Sequence, residues 1–399
     1  MIDNKVLGRQ RELLFAGKDS PTGEYNIEPL KSYIKLDKKP FDPVLARQTG
    51  ALLIAGGMGS RLGFDKPKGM FPISNIKGKT LFQLFAEKVC VASELAQKDL
   101  PLAIMVSPQH YGIVLEYFKE NNYFGLNSEQ VDVFVQDDLP YLNDDGDVVQ
   151  YGGDVLLGPS GNGGSLRSFC RAGLLDKWNE KGVCYINFVP VDNPLADPYD
   201  TNLVREHVGS EAEITVKTIE RSSSAEKVGL LCLRDGRPSV IEYNEIGEED
   251  TLRVSPEGGL FYNIASISLF CFSLSFLKKV SEIYLPWHFA HKQVETDYGK
   301  IWAWKFEEFI FDILAYTDSV AVVVCSREDV FSPLKQLSGE GSVESVQRAI
   351  FSREMNILAD LKIRTPNVLF ELSQDYYYNK NIVPQMEVCK EGVYLGVSL

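Results

Sequence analysis

The densest chemistry in this 399-residue chain lies in Leu53–Pro72, LIAGGMGSRLGFDKPKGMFP. A short apolar run, Ala51–Ala55, leads into Gly56, Gly57 and Gly59, and Arg61, Gly63, Lys66, Lys68 and Gly69 follow. Glycines let a backbone turn tightly and bring its N–H groups against a ligand. Arg61 adds a planar fork of donors and Lys68 a point charge. That combination suits a polyphosphate. Two familiar phosphate loops do not fit. A Walker A loop ends in Gly-Lys-Ser/Thr, which is absent. The Rossmann fingerprint needs glycines at its first, third and sixth positions. Counted from Gly57 the sixth is Leu62, and no acid stands about 20 residues on after a second strand.

A second cluster of polar residues ends another apolar run. Asp192 and Asn193 follow Cys184–Pro190, where α/β sheets place ligands, so Asp192 is the best metal candidate, with a plain Asp-Asn turn before Pro194 as the other role open to it. The other metal-binding residue types are sparse. Of four histidines, His288 and His291 are three apart and could share a helix face. No third ligand stands nearby, so packing or a surface role fits them better than zinc. The seven cysteines are scattered singly, without a C-x-x-C, and several lie in apolar runs. Such thiols fit a reducing cytoplasm.

The elements that must hold these residues read as an alternation of strands and helices. Ala51–Ala55, Leu102–Val106 and Val131–Val135 are short apolar runs expected to be buried strands. Between them Thr80 caps a helix, with Gln83 at capping-box spacing, and Gln109–Glu120 forms another. This order argues for an α/β domain with a largely parallel sheet. Cys184–Pro190, Ile214–Ile219, Val228–Leu233, Ser239–Tyr243, Ala265–Phe272 and Ser319–Cys325 are further strands. Leu274–Val280 is expected to begin a helix, and Trp304–Tyr316 has helical spacing. A polar N-terminal appendage, residues 1–48, precedes the catalytic domain, residues 49–335. A Gly–Ser stretch then leads into a small C-terminal lobe, residues 336–399, with a helix from about Val343 to Leu361.

Composition excludes several classes. The chain carries 41 basic against 55 acidic residues, a net charge of −14, which argues against a general nucleic-acid surface. No apolar run reaches the roughly 18 residues of a membrane span, and Met1–Leu14 has no signal-peptide core. At about 150 residues per domain the length allows two or three domains, or one large α/β core with appendages.

The glycine segment resembles the signature of the UTP-dependent nucleotide-sugar pyrophosphorylases, in particular the UDP-N-acetylglucosamine pyrophosphorylase branch. That branch carries Gly-Gly-x-Gly-Thr-Arg-Leu-Gly and then Pro-Lys-Gly-Met; here Ser60 replaces the threonine. Arg61 and Gly69-Met70 favour this branch over the UDP-glucose branch. The resemblance continues in order from about residue 50 to 360. Gln136 before Leu139-Pro140 matches a uracil-contacting glutamine. Pro159–Gly164 resembles Pro-Asp-Gly-Asn-Gly-Gly, and Val191-Asp192-Asn193 matches Val-Asp-Asn. Gly229, Glu242 and Tyr243 match sugar-side contacts. Glu308–Asp312 resembles Glu-Lys-Phe-Val-Phe-Asp, and Phe331–Lys335 matches Phe-Ser-Pro-Leu-Lys. The family's Asn-Ala-Gly-Asn-Ile-Ala segment is altered. Without gaps Asn263 takes its first asparagine and Ser266 its second, the one that contacts sugar.

The resemblance implies a Rossmann-like mixed α/β sheet of the nucleotidyltransferase type, with helices on both faces and small terminal lobes. It implies that UTP and a sugar-1-phosphate give UDP-sugar and pyrophosphate, with Mg²⁺ as cofactor and neither nucleic acid nor membrane as partner. The attacking phosphate oxygen is already ionised, so the task is to gather anions and stabilise charge in an in-line displacement. Arg61, Lys68 and the loop of Gly56, Gly57 and Gly59 would hold the β- and γ-phosphates. Lys335, otherwise an ordinary surface lysine, would reach in from the opposite side. Gln136 offers a donor and an acceptor to a base edge, or ends a strand. Gly161 and its neighbours Gly163 and Gly164 would let backbone lie flat near the nucleotide, with Asn162 on sugar hydroxyls. Phe309 and Phe311 cannot share a helix face, but would share one face of an extended segment; core packing is the other role open to them. N-acetylglucosamine-1-phosphate is the favoured substrate. UDP-glucose synthesis, a broad UDP-sugar pyrophosphorylase and an inactive nucleotide-sugar sensor are the alternatives.

Overall fold

Residues 51–54 are apolar without alternation, so a strand made from them must be covered on both faces. The computed structural model, which describes residues 4–16, 26–243, 245–256, 258–378 and 382–397, does this. The strands that matter for the site are β1 (Thr49–Ile54), β2 (Leu102–Val106), β3 (Val131–Val135), β4 (Tyr185–Pro190) and β5 (Ile214–Glu220). A hairpin, β6 (Leu230–Arg234) and β7 (Arg237–Ile241), precedes β8 (Ile264–Ser273). A second hairpin, β9 (Trp287–Thr296) and β10 (Gly299–Glu308), precedes β11 (Val320–Cys325). The central sheet runs β11–β5–β8–β4–β1–β2–β3, and Ile34–Lys35 extends it beyond β11. Neighbours are parallel except for β8, which runs antiparallel to both β4 and β5.

Successive residues of β1 feed opposite cores. Ala51 and Leu53 pack with the helix Leu81–Ala96 and with Phe118, while Leu52 packs with Phe169, Trp178, Phe188 and Phe270. Gly50 is required there, since a Cβ would lie 2.2 Å from the Trp178 ring. The helix Leu81–Ala96 starts where expected. The Thr80 hydroxyl accepts from the Gln83 N–H, although the Gln83 amide donates to Glu87 and does not close the box. Val343–Asp360 is helical, and with the small sheet of Phe370–Leu372, Pro384–Cys389 and Gly392–Val397 it encloses a separate core.

Two expectations fail in one region. Trp304–Tyr316 is not one helix: Gly299–Glu308 is a strand, and a 3₁₀ turn covers Ile310–Tyr316. His288 and His291 likewise sit on β9, not on a helix face. The aromatic residues are spaced to fit either structure, and the pairing of β9 with β10, from Trp287 opposite Glu308 to Thr296 opposite Gly299, decides for strand. Among the described residues no helix is long and apolar enough to cross a membrane.

Candidate active site

Topology gathers the loops at one edge of the sheet. Parallel strands end together, and the backbone bonds at that edge are Ala55 N–H to Met105 O, Gln136 N–H to Val106 O, and Val191 N–H to Ile54 O. The glycine loop and Asp192 therefore leave the sheet side by side, where the order of strands reverses about β1, and Gln136 leaves the same edge two strands farther over. Because β8 is antiparallel, its beginning lies at this edge too. Asn263 and Ser266 stand there, although they open a strand instead of ending one.

The loop after β1 closes on itself. Lys68 N–H donates to Gly57 O at 3.2 Å and Gly59 N–H to Lys66 O at 3.3 Å. Gly63 takes a left-handed φ of 62° after the turn Ser60–Leu62, on which Arg61 is exposed. Lys68 points into the site. Its Nζ lies 3.6 Å from Asp192 Oδ2 and donates to the Leu334 carbonyl at 3.3 Å. The segment carrying Leu334 and Lys335 is strapped to the end of β4. Leu334 N–H donates to Asp192 O at 2.7 Å, Asn193 Nδ2 to Val330 O at 2.7 Å, and Ser332 N–H to Asn193 Oδ1 at 3.1 Å. Asn193, only 1% exposed, thus holds the strap; sequence marked its position but gave it no role. Lys68, Asp192 and Lys335, distant in sequence, belong to one wall.

Gln136 forms the other wall. It is 4% exposed, and its Oε1 lies where a Cβ on Gly56 would be, at 2.3 Å. Its buried Nε2 sits beside the Asp138 carboxyl, which it pulls down against the rise that burial imposes.

The 161–164 loop is built differently from expectation. A Cβ on Gly161, at φ +86°, would lie 2.3 Å from Glu308 O, and one on Gly163 2.6 Å from Glu308 backbone. These glycines serve close packing against the end of β10. Gly163 N–H donates to Glu308 O, and Asn162 Oδ1 accepts from Ile310 N–H at 3.0 Å, which fixes the amide and leaves its Nδ2 to donate to a ligand. Glu308, 1% exposed, is pinned by Arg167 at 3.0 Å and Trp287 Nε1 at 3.0 Å. Burial pushes its carboxyl up, against the pull of Arg167. Phe309 is extended, so Phe309 and Phe311 do share a face: their rings stack at 5.2 Å and 24°.

On the remaining side, a Cβ on Gly229 would lie 3.2 Å from Glu242 Oε1, and Ser266 N–H donates to Gly229 O at 2.9 Å. Burial and the neighbouring Glu245 raise the Glu242 carboxyl, while His288 and Lys335 pull it down. Tyr243 is 46% exposed on the following turn, and the Asn263 carbonyl accepts from Arg221 N–H. A cavity of about 600 Å³ lined by Phe41, Lys88, Asp197, Lys217 and Arg353 lies behind the loop that follows Asp192, and is separate from this cleft.

Comparison with known proteins agrees with the geometry. Residues 20–387 match the family described as UTP–glucose-1-phosphate uridylyltransferase. The human UDP-N-acetylhexosamine pyrophosphorylase-like protein 1 is 32% identical over 317 residues, 75% of this chain and 62% of that protein. Arabidopsis thaliana UDP-N-acetylglucosamine diphosphorylase 2 is 31% identical over 308 residues, 73% of this chain and 61% of that protein. The chain thus spans about three fifths of these two relatives. A crystal structure from Entamoeba histolytica, put forward as a UDP-N-acetylglucosamine pyrophosphorylase, superposes with a TM-score of 0.79 at 28% identity, covering 89% of this chain and 96% of that one.

Proposed function

The chain belongs to the UTP–glucose-1-phosphate uridylyltransferase family, and on that premise we propose that it joins UTP to N-acetylglucosamine-1-phosphate, giving UDP-N-acetylglucosamine and pyrophosphate. The observation that carries this reading is the meeting of Lys68, Asp192 and the 334–335 strap at one sheet edge. A sugar-phosphate oxygen attacks the α-phosphorus, the Pα–O bond to the β-phosphate breaks, and pyrophosphate leaves with the electron pair. Lys68 and Arg61 hold the leaving phosphates, and Lys335 approaches from the strap. No base is required. Gln136 reads the uracil through its Nε2 donor and its Oε1 acceptor.

Magnesium fits this donor set. Asp192 offers a carboxylate with about a quarter of its side-chain surface exposed, and substrate phosphates supply the remaining oxygens that Mg²⁺ prefers. The ion would be held by Asp192 and would neutralise phosphate charge. The seven unpaired cysteines support a reducing, cytoplasmic setting.

The sugar side favours N-acetylglucosamine more strongly than sequence did. Between Lys217 and Thr218 the register with β8 shifts from Leu269 to Ser266, so Ile267 and Ser268 bulge out, with Ser268 at φ 56°. The bulge absorbs two residues, which lets Asn263-Ile264-Ala265 take the place of the family's Asn-Ile-Ala. Asn263 then supplies the sugar-contacting amide, and Ser266 serves as a sheet residue against Thr218 and Gly229. The test is pyrophosphate release with UTP and a panel of sugar-1-phosphates. N-acetylglucosamine-1-phosphate should give the highest kcat/KM. Asn263→Ala should erode its lead over glucose-1-phosphate by up to about tenfold, the worth of one polar contact, and Ser266→Asn should not move it. Exclusive use of glucose-1-phosphate would overturn the sugar assignment and leave the uridylyltransferase reading standing.

A further inference from the structure

His288 ties together three segments of the sugar side, and neither its sequence position nor the residues matched to the family gave it a role. It stands on β9. Its Nε2 is 2.8 Å from Asp312 Oδ2, and its Nδ1 is 3.7 Å from Glu245 Oε1. Its ring lies 4.8 Å from that of Phe309 and edge-on to Phe311 at 6.0 Å. Glu245 in turn accepts from the Glu242 N–H at 3.2 Å, while its own N–H donates to Glu242 O at 2.9 Å. One imidazole therefore fixes the aromatic pair on one side and the turn bearing Glu242 on the other.

We infer that His288, held as an imidazolium between Asp312 and Glu245, is a positioning residue that sets the width and orientation of the sugar-1-phosphate pocket. This rests on the uridylyltransferase reading, in which Glu242, Phe309 and Phe311 face the sugar. Geometry carries the argument: Nε2 hydrogen-bonds one carboxylate and Nδ1 faces a second at ion-pair distance, an arrangement that favours a proton on both nitrogens. The charges around it agree. Glu242 faces it from the turn, with Lys335 beyond. Across the hairpin its register partner Glu307 is engaged by Lys305 at 2.7 Å. Burial alone would depress the imidazolium, but Asp312 and Glu245 raise it to about 9. A group raised in the folded protein keeps its contribution below the ordinary histidine range and loses it as pH climbs through the raised value. The pocket is then fully assembled at pH 7 and loosens near pH 9.

The experiment is steady-state kinetics with each substrate varied in turn, on wild type, His288→Phe and His288→Gln. Phenylalanine keeps the ring and removes both donors. It should raise KM for N-acetylglucosamine-1-phosphate about tenfold or more, the scale of losing a hydrogen bond between charged groups, while KM for UTP stays within about twofold. Glutamine, a neutral donor, should restore part of the loss. In wild type, KM for the sugar phosphate should rise between pH 8 and 10, with KM for UTP flat, and in His288→Phe that rise should vanish. Wild-type KM values in His288→Phe, equal increases for both substrates, or a pH rise that survives the substitution would each overturn the proposal. Should His288→Phe fail to fold, the wild-type pH profile and His288→Gln decide alone. If UTP binds but no sugar phosphate is turned over, the functional reading falls, and this proposal falls with it.

Discussion

Replacing Gly56 with alanine tests the base-recognition wall without touching a charged group. The new Cβ would lie 2.3 Å from Gln136 Oε1 and 2.8 Å from its Cδ, where ordinary contacts begin at 3.4 Å. The amide must retreat by about 1 Å. Gln136 has little room, being 4% exposed with its N–H bonded to Val106 O. Its side-chain end is nonetheless flexible, so the clash relaxes by moving the amide and not the sheet. Stability should fall by only about 1 kcal/mol, the low end of overpacking costs. Activity should suffer far more, because a misplacement of about 1 Å costs roughly 100-fold, or about 2.7 kcal/mol of transition-state stabilisation. Pyrophosphate release with UTP varied gives kcat/KM, and a thermal melt gives the stability term. A double-mutant cycle isolates the cause: in a Gln136→Ala background the methyl has space, so adding Gly56→Ala should change little. Wild-type kcat/KM in Gly56→Ala, or full additivity in the double variant, would refute the argument that Gly56 is a glycine for the sake of Gln136.

The phosphate wall yields two further expectations. Lys68→Ala should lower kcat by at least about 100-fold, the cost of one preorganised charge contact, with an unchanged melting temperature; its Nζ bonds one carbonyl and faces one carboxylate, so near-normal turnover would remove the assignment. Asp192→Asn keeps the side chain's size and drops its charge, so the Mg²⁺ concentration for half-maximal rate should rise about tenfold or more; a wild-type rate indifferent to EDTA would end the metal role.

The fold was legible wherever burial imposed one pattern. Residues 51–54 and 102–106 are apolar throughout because their strands are covered on both faces, whereas 131–135 closes the sheet edge with only Phe134 buried; all three strands came out close to their expected bounds. Legibility failed at Trp304–Tyr316 for a stated reason. An apolar, aromatic segment that leaves a strand and enters a tight turn shows the same spacing as a helix, and only the partner strand β9 decides between them. The bulge at Ile267–Ser268 was hidden likewise, since two residues inserted in a strand leave no mark on composition.

The candidate site was legible as a set of local motifs but not as an arrangement. Glycines, Lys68 and Asp192 are visible because phosphate chemistry restricts residue type. What each glycine is for was not visible. Gly56 makes room for the Gln136 side chain, and Gly161 and Gly163 make room for the Glu308 backbone, so the same residue type accommodates a side chain in one loop and a passing backbone in another. The decisive step belongs to topology. In an all-parallel sheet only strand ends would meet at the cleft. The reversed strand β8, set between β4 and β5, adds a strand beginning to that edge, and Asn263 with it. The β6–β7 hairpin hangs on the same strand through Leu230 opposite Ala265, which carries Gly229 and Glu242 into place. In the proposed reading the phosphate side thus comes from the parallel half of the sheet and the sugar side from the reversed strand. A chain reversal of that kind depends on pairing partners far apart in sequence, which no local spacing encodes.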